Sequence, residues 1–127
     1  MPAASYDFTI EQGTTWKRTI RLTRQGVAVD LTNDTFAAQI RKTHNGPMLV
    51  EIKCDVLSPL EGTLVLSLTP AQTSSLPAGE SIDDPKSQYV YDVEWTVNAG
   101  LADEEVKRIL DGAIIVSPEV TKPVPQT

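Results

Sequence analysis

Hydrophobic and polar positions alternate most regularly over Tyr89-Val90-Tyr91-Asp92-Val93-Glu94-Trp95-Thr96-Val97. Tyr89, Tyr91, Val93, Trp95 and Val97 fall on one face, and Asp92, Glu94 and Thr96 fall on the other. A period of two is that of a β-strand, and aromatic and β-branched residues suit a pleated, half-buried surface. Five large side chains on one face need a second layer to cover them. The stretch is therefore predicted to be the central strand of a core.

The same period recurs along the chain. Phe8 and Ile10 alternate with Thr9 in a short first strand that Gly13 interrupts. Trp16, Ile20 and Leu22 then share a face against Lys17, Thr19, Arg21 and Thr23, with Arg18 breaking the apolar face at the expected rim of the core. Arg24-Gln25-Gly26 reads as a turn into a short return strand containing Val27, Val29 and Leu31. Asp30 to Asp34 is rich in side chains that bond nearby backbone and favour turns.

Phe36, Ala38 and Ile40 face Met48, Val50, Ile52 and Cys54 as the next pair. Directly opposed residues of an antiparallel pair share a face, and both apolar sets are even-numbered. A two-residue Asn45-Gly46 loop would set Ile40 against Glu51 unless a bulge intervened. A three-residue loop, His44-Asn45-Gly46, pairs Ile40 with Val50, Ala38 with Ile52 and Phe36 with Cys54, and places Gly46 in the left-handed region.

Asp55 to Gly62 reads as a connection, and Leu64, Leu66 and Leu68 form another strand. Thr69-Pro70-Ala71-Gln72 carries a cap, a proline at the first helical position and a capping-box glutamine. Leu76-Pro77-Ala78-Gly79 stops that helix within two turns. Glu80 to Ser87 is a polar, acidic loop. The last strand runs from about Val106 to Val116, bent by a bulge at Gly112. Ser117 to Thr127 contains three prolines and is expected to be a loosely held tail.

About seven to nine short strands, frequent turn signals and one short helical turn describe an all-β fold: an antiparallel, immunoglobulin-like β-sandwich, with a partly closed β-barrel as the alternative. Residues 1–117 are expected to form a single domain and 118–127 a proline-containing C-terminal tail. A chain of 127 residues suffices for one core without metal or disulfide, and its single cysteine, Cys54, forms no intramolecular bridge. The first residues lack the basic and apolar regions of a signal peptide. No apolar run approaches the roughly 20 residues of a membrane span.

Charge narrows the class of partner. A net charge of −6 weighs against nucleic acid. Residues 1–60 hold seven Lys/Arg against six Asp/Glu, whereas residues 61–127 hold four against eleven. Such an asymmetry suits head-to-tail packing of identical copies.

Few residues of the chain have the types and spacing that chemistry needs. His44, the single histidine, stands beside Asn-Gly as a solvated turn residue, and Cys54 lies on an apolar strand face. A Cys–His dyad fails on reach, because the strand carries Cys54 roughly 20 Å from the turn. Asp83-Asp84 and Asp103-Glu104-Glu105 lack the spacing of a calcium loop. Asp92 and Glu94, about 7 Å apart along one strand, have the spacing of a carboxylate pair but read as its outward face. No catalytic, cofactor-binding or metal-binding residue is assigned, and a non-enzymatic binding or structural module remains. Its available surfaces are the polar sheet face, the strand edges and the chain ends.

Several segments, in their order, carry a resemblance: Phe8-Thr9-Ile10-Glu11-Gln12-Gly13 with Trp16, Val29-Asp30-Leu31-Thr32, Leu68-Thr69-Pro70-Ala71-Gln72-Thr73, Tyr89-Val90-Tyr91-Asp92-Val93, and Gly112 to Thr121. Their order resembles small virion proteins of tailed bacteriophages, in particular baseplate and tail-fibre adaptor domains with an immunoglobulin-like sandwich. The resemblance implies a structural component of a virion, made in the host cytoplasm, that docks baseplate, tail or tail-fibre components to one another. It implies other virion structural proteins as partners and multiple copies in a symmetric assembly, with neither nucleic acid nor membrane as partner. A head-associated role (capsid decoration or head-fibre anchor) and a carbohydrate-binding module are the alternatives. The expected partner-binding residues are Pro118, Glu119, Val120, Thr121, Pro123, Val124 and Pro125.

Overall fold

The structure, a computed structural model, describes residues 3–79 and 87–121. Its strands in chain order are β1 (Ala4–Ser5), β2 (Phe8–Glu11), β3 (Trp16–Arg21), β4 (Thr23–Arg24), β5 (Val27–Ala28), β6 (Thr35–Arg41), β7 (Met48–Ser58), β8 (Thr63–Leu68), β9 (Ser87–Val97) and β10 (Glu105–Ser117). A 3-10 turn, Pro59–Glu61, and one helix, α1 (Pro70–Ser74), complete the set. The fold is all-β, an immunoglobulin-like sandwich.

β9 is central, hydrogen-bonded to β6 on one side and β10 on the other. Tyr89, Tyr91, Val93 and Trp95 are buried as their alternation requires, while Glu94 is exposed. The path of paired strands runs β1-β10-β9-β6-β7-β8-β3, with β2 also on β10. β1 and β2 lie parallel to β10, and the other pairs are antiparallel.

β7 belongs to both layers. Its first half pairs with β6 and its second half, from Lys53, pairs with β8. The strand therefore bends the first sheet into the second and closes one side of the sandwich. On the other side the Phe8 ring meets Trp16 edge-on, with centroids 5.2 Å apart. Ile10, Ile40, Leu64, Leu66, Val93 and Ile114 fill the space between the layers with no solvent exposure.

Local sequence accounts for the connections. Gln25 and Gly26, both at positive φ, make a two-residue hairpin turn between β4 and β5. Thr69 caps α1 in a complete capping box with Gln72.

Several expectations need correction. Ile40 does oppose Val50, and Ala38 opposes Ile52, but a register shift after Ile40 sets Arg41 against Met48. The connection is thus the six residues 42–47, not a three-residue loop. Gly46 is absent from the residues at positive φ, and its N–H instead closes a turn on the Thr43 carbonyl at 3.1 Å. Phe36 does not pair with Cys54, because β7 has left for β8, where Cys54 opposes Leu66. Phe36 opposes Trp95 and stacks on it. The expected connection from Asp55 begins later, since β7 continues to Ser58.

The bulge of β10 lies between Arg108 and Leu110, not at Gly112. Gly112 sits in register opposite Tyr91, and its φ is 153°. It is required for another reason: the Tyr6 carbonyl occupies the place a Cβ would take. The same carbonyl accepts a hydrogen bond from Tyr91 Oη, and Tyr6 N–H donates to the Asp111 carbonyl at 2.8 Å. The break between β1 and β2 is thereby locked against β10.

Candidate functional site

The segment expected to bind a partner leaves the sandwich from a fixed anchor. Backbone pairing continues to Ser117, whose carbonyl accepts from Gln12 N–H at 2.9 Å. The Gln12 side chain then serves both neighbours. Its Oε1 accepts from Glu119 N–H at 3.0 Å, and its Nε2 donates to the Leu76 carbonyl at 2.9 Å. The Glu119 carboxylate lies directly over Gly13, at φ +84°, where any side chain would collide with it.

Beneath this, the buried Thr73 hydroxyl accepts from Gly13 N–H at 3.0 Å and donates to the Thr14 carbonyl at 2.8 Å. Pro118 packs against Gly79. Pro118 and Glu119 are therefore held, which corrects the expectation of a loose tail from Ser117 onward. Val120 is 95% exposed and Thr121 is exposed. Pro123, Val124 and Pro125 lie outside the described residues. The Gln12–Thr73 node has no signature in the sequence, since a strand-end glutamine and a helical threonine carry no motif.

The outward face of β6, β9 and β10 forms a shallow concavity of about 420 Å³. Val90 and Ala113 line it among Gln39, Arg41, Asp92 and Arg108. These polar groups are largely engaged with one another. Arg41 donates to Gln39 Oε1 and to the Gly46 carbonyl, and Asp92 pairs with Arg108 at 3.3 Å. Asp111 accepts from Ser5 Oγ at 3.0 Å. Burial, reinforced by the Asp111 and Asp7 charges, raises the Tyr91 hydroxyl above its ordinary range.

Other chemistry-bearing residues are dispersed. His44 is exposed in the 42–47 connection. Cys54 is half-buried, and burial, with Asp55 and Glu51 nearby, pushes its thiol up to about 11. Such a thiol stays protonated near neutral pH and is a poor nucleophile. Asp92 and Glu94 share the outward face, but Asp92 is turned to Arg108. Asp103 accepts from Asn98 Nδ2, while Asp83-Asp84 lie outside the described residues. Among the described residues no three His, Cys, Asp or Glu side chains gather as a metal site, and no helix is long and apolar enough to cross a membrane.

Asp34 was legible only as a turn residue, yet it pins the central strand. Its Oδ2 accepts from Trp95 Nε1 at 2.9 Å and its Oδ1 from Asn98 N–H at 3.0 Å. Asp30 makes a tight local turn by accepting from the Thr32 N–H and hydroxyl, and those bonds lower its pKa.

The chain matches no protein-family model and no curated protein. Among solved structures it is similar to a Listeria monocytogenes internalin-like protein, lmo2027, at 18% identity and a TM-score of 0.38. The match covers 92% of this chain and 28% of that one. At that score the similarity carries no argument about function.

Proposed function

We propose that the protein is a non-enzymatic structural component of a bacteriophage virion, present in several copies, that docks baseplate, tail or tail-fibre components to one another. The observation that carries this reading is the anchored exit of the C-terminal segment. Pro118 and Glu119 are fixed to the sandwich, and Val120 projects almost fully exposed immediately beyond them. A segment already restricted by proline and held at its root loses little entropy when it lies on a neighbour. The partners on this reading are other virion structural proteins, and the resemblance of the ordered segments to adaptor domains supports it further.

The carbohydrate-binding alternative has less support. Phe8, Trp16, Tyr89, Tyr91 and Trp95 are buried and Phe36 is half-buried, which leaves Tyr6 as the exposed ring. A sugar platform needs such rings on the surface.

Deletion of residues 120–127, which spares the Glu119–Gln12 bond, tests the proposal. The thermal midpoint should stay nearly unchanged, and the truncated chain should be missing from purified particles that incorporate the full chain. Normal incorporation of the truncated chain would move the contact to a sheet edge. Absence of the full chain from particles would overturn the virion reading. Its presence on isolated heads and not on tails would favour the head-associated alternative.

A further inference from the structure

The first part of β10 carries a self-complementary charge pattern on an unpaired edge. Glu105 to Arg108 pair with β9 on one side. On the other side β1 begins only opposite Leu110, and among the described residues no strand pairs with Glu105–Arg108. An open cleft of about 560 Å³ is lined by this edge together with Ala4, Leu22 and Arg24. Val106 is 56% exposed, a β-branched apolar residue on an open strand. Open edges invite pairing, and a charged edge beside a bulge, such as this one, admits only a partner whose charges complement it.

The segment reads Glu104-Glu105-Val106-Lys107-Arg108: two acids, an apolar centre, two bases. Laid antiparallel against a second copy of itself about Val106, it sets Glu105 opposite Lys107 and Glu104 opposite Arg108, each pair twice. Val106 meets Val106. The faces agree as well. Glu105 and Lys107 oppose Val97 and Trp95 and share their face, while Val106 and Arg108 oppose Thr96 and Glu94 on the other.

The register is specified too. A slip of one residue would oppose side chains of different faces. A slip of two would set Lys107 on Lys107 or Glu105 on Glu105, and like charges directly opposed are destabilising. The charges are available for such pairing. Within one chain Lys107 lies 4.0 Å from Glu105 and 5.5 Å from the Trp95 ring centroid, and Arg108 pairs with Asp92, all exposed or half-exposed contacts of little strength.

We propose that two copies of this chain associate through the Glu104–Arg108 edge, joining their sheets into one continuous antiparallel sheet about a two-fold axis. The contact uses a different surface from the C-terminal segment, and it stands or falls independently of the virion reading.

Sedimentation velocity on the full chain, over a concentration series at low salt, tests it. The wild-type protein should form dimers. Glu105→Lys alone and Lys107→Glu alone should each weaken the dimer by at least about tenfold, because each sets like charges together. Mixing those two variants should restore association, since one then offers only bases at these positions and the other only acids. The double variant Glu105→Lys/Lys107→Glu should dimerise on its own. Thermal melts of each variant confirm folding, and the restored association separates edge pairing from loss of structure. A monomeric wild-type protein overturns the proposal. So does a dimer indifferent to the single reversals, or a mixture that fails to associate.

Discussion

β9 and β10 are neighbours of similar length, paired along most of their course, yet their burial differs sharply. β9 buries Tyr89, Tyr91, Val93 and Trp95 in strict alternation. β10 buries only Ile114 and Val116 and is partly exposed along most of the rest. The difference lies in what flanks each strand. β9 is paired on both sides, so one face is always core. β10 has β9 on one side, and on the other, among the described residues, it meets first no strand, then β1, then β2. A fully paired strand becomes a spine, whereas a strand with a changing border is free to bind.

Substitutions in the two strands should separate those roles. Trp95→Ala should destabilise the fold by about 3–5 kcal/mol, the cost of removing a large buried aromatic. Ile109→Ala, at the bulge, should cost about 1 kcal/mol or less. Chemical denaturation measures both, and similar losses would erase the contrast. Gly112→Ala should cost about 1–3 kcal/mol, because its Cβ meets the Tyr6 carbonyl and its φ is 153°. Faster amide exchange at Tyr6 should accompany that loss.

The two tryptophans sharpen the comparison further. Trp95 Nε1 donates to Asp34, whereas Trp16 Nε1 is buried and finds no hydrogen-bond partner among the described residues. Trp95→Phe should therefore cost about 1–2 kcal/mol more than Trp16→Phe, because Asp34 Oδ2 loses its donor while Oδ1 keeps Asn98 N–H. Equal losses in denaturation curves would show that the Asp34 bond contributes nothing.

The Cys54 thiol has its pKa raised to about 11 in the fold. The unfolded chain then releases its proton first, so this contribution to stability is complete below about pH 9 and is lost as pH rises toward 11. Cys54→Ser should flatten that alkaline decline in urea midpoints. The smallest effect belongs to Gly46→Ala, within about 0.5 kcal/mol, since Gly46 lies outside the left-handed region and its Cβ would crowd the Thr43 hydroxyl while meeting the Thr43 backbone at ordinary contact distance. A cost well above that would show strain in the 42–47 connection.

The same contrast explains which features could be read from the chain. The β9 pattern, the Leu64-Leu66-Leu68 strand and the Thr69 capping box are local, and each appears in the structure where its residues put it. β10 was harder because its bulge reverses parity. Glu105 and Lys107 face inward before it, and Leu110, Gly112, Ile114 and Val116 face inward after it. No single alternation fits such a strand, and a nearby glycine, Gly112, marks the bend in the sequence more visibly than the bulge itself does. The Ile40/Arg41 shift misled the hairpin reading in the same way. At the candidate site, Gln12, Thr73 and Glu119 come together from positions more than forty residues apart, and their contact has no local signature.

Amide hydrogen exchange at two protein concentrations tests most directly whether β9 is spine and the start of β10 an open binding edge. The account predicts that Tyr91 to Thr96 exchange slowly and identically at both concentrations. Within Val106 to Arg108, the outward-pointing amides should exchange quickly in dilute protein and become protected as concentration rises. Equal, concentration-independent protection in the two segments would contradict it.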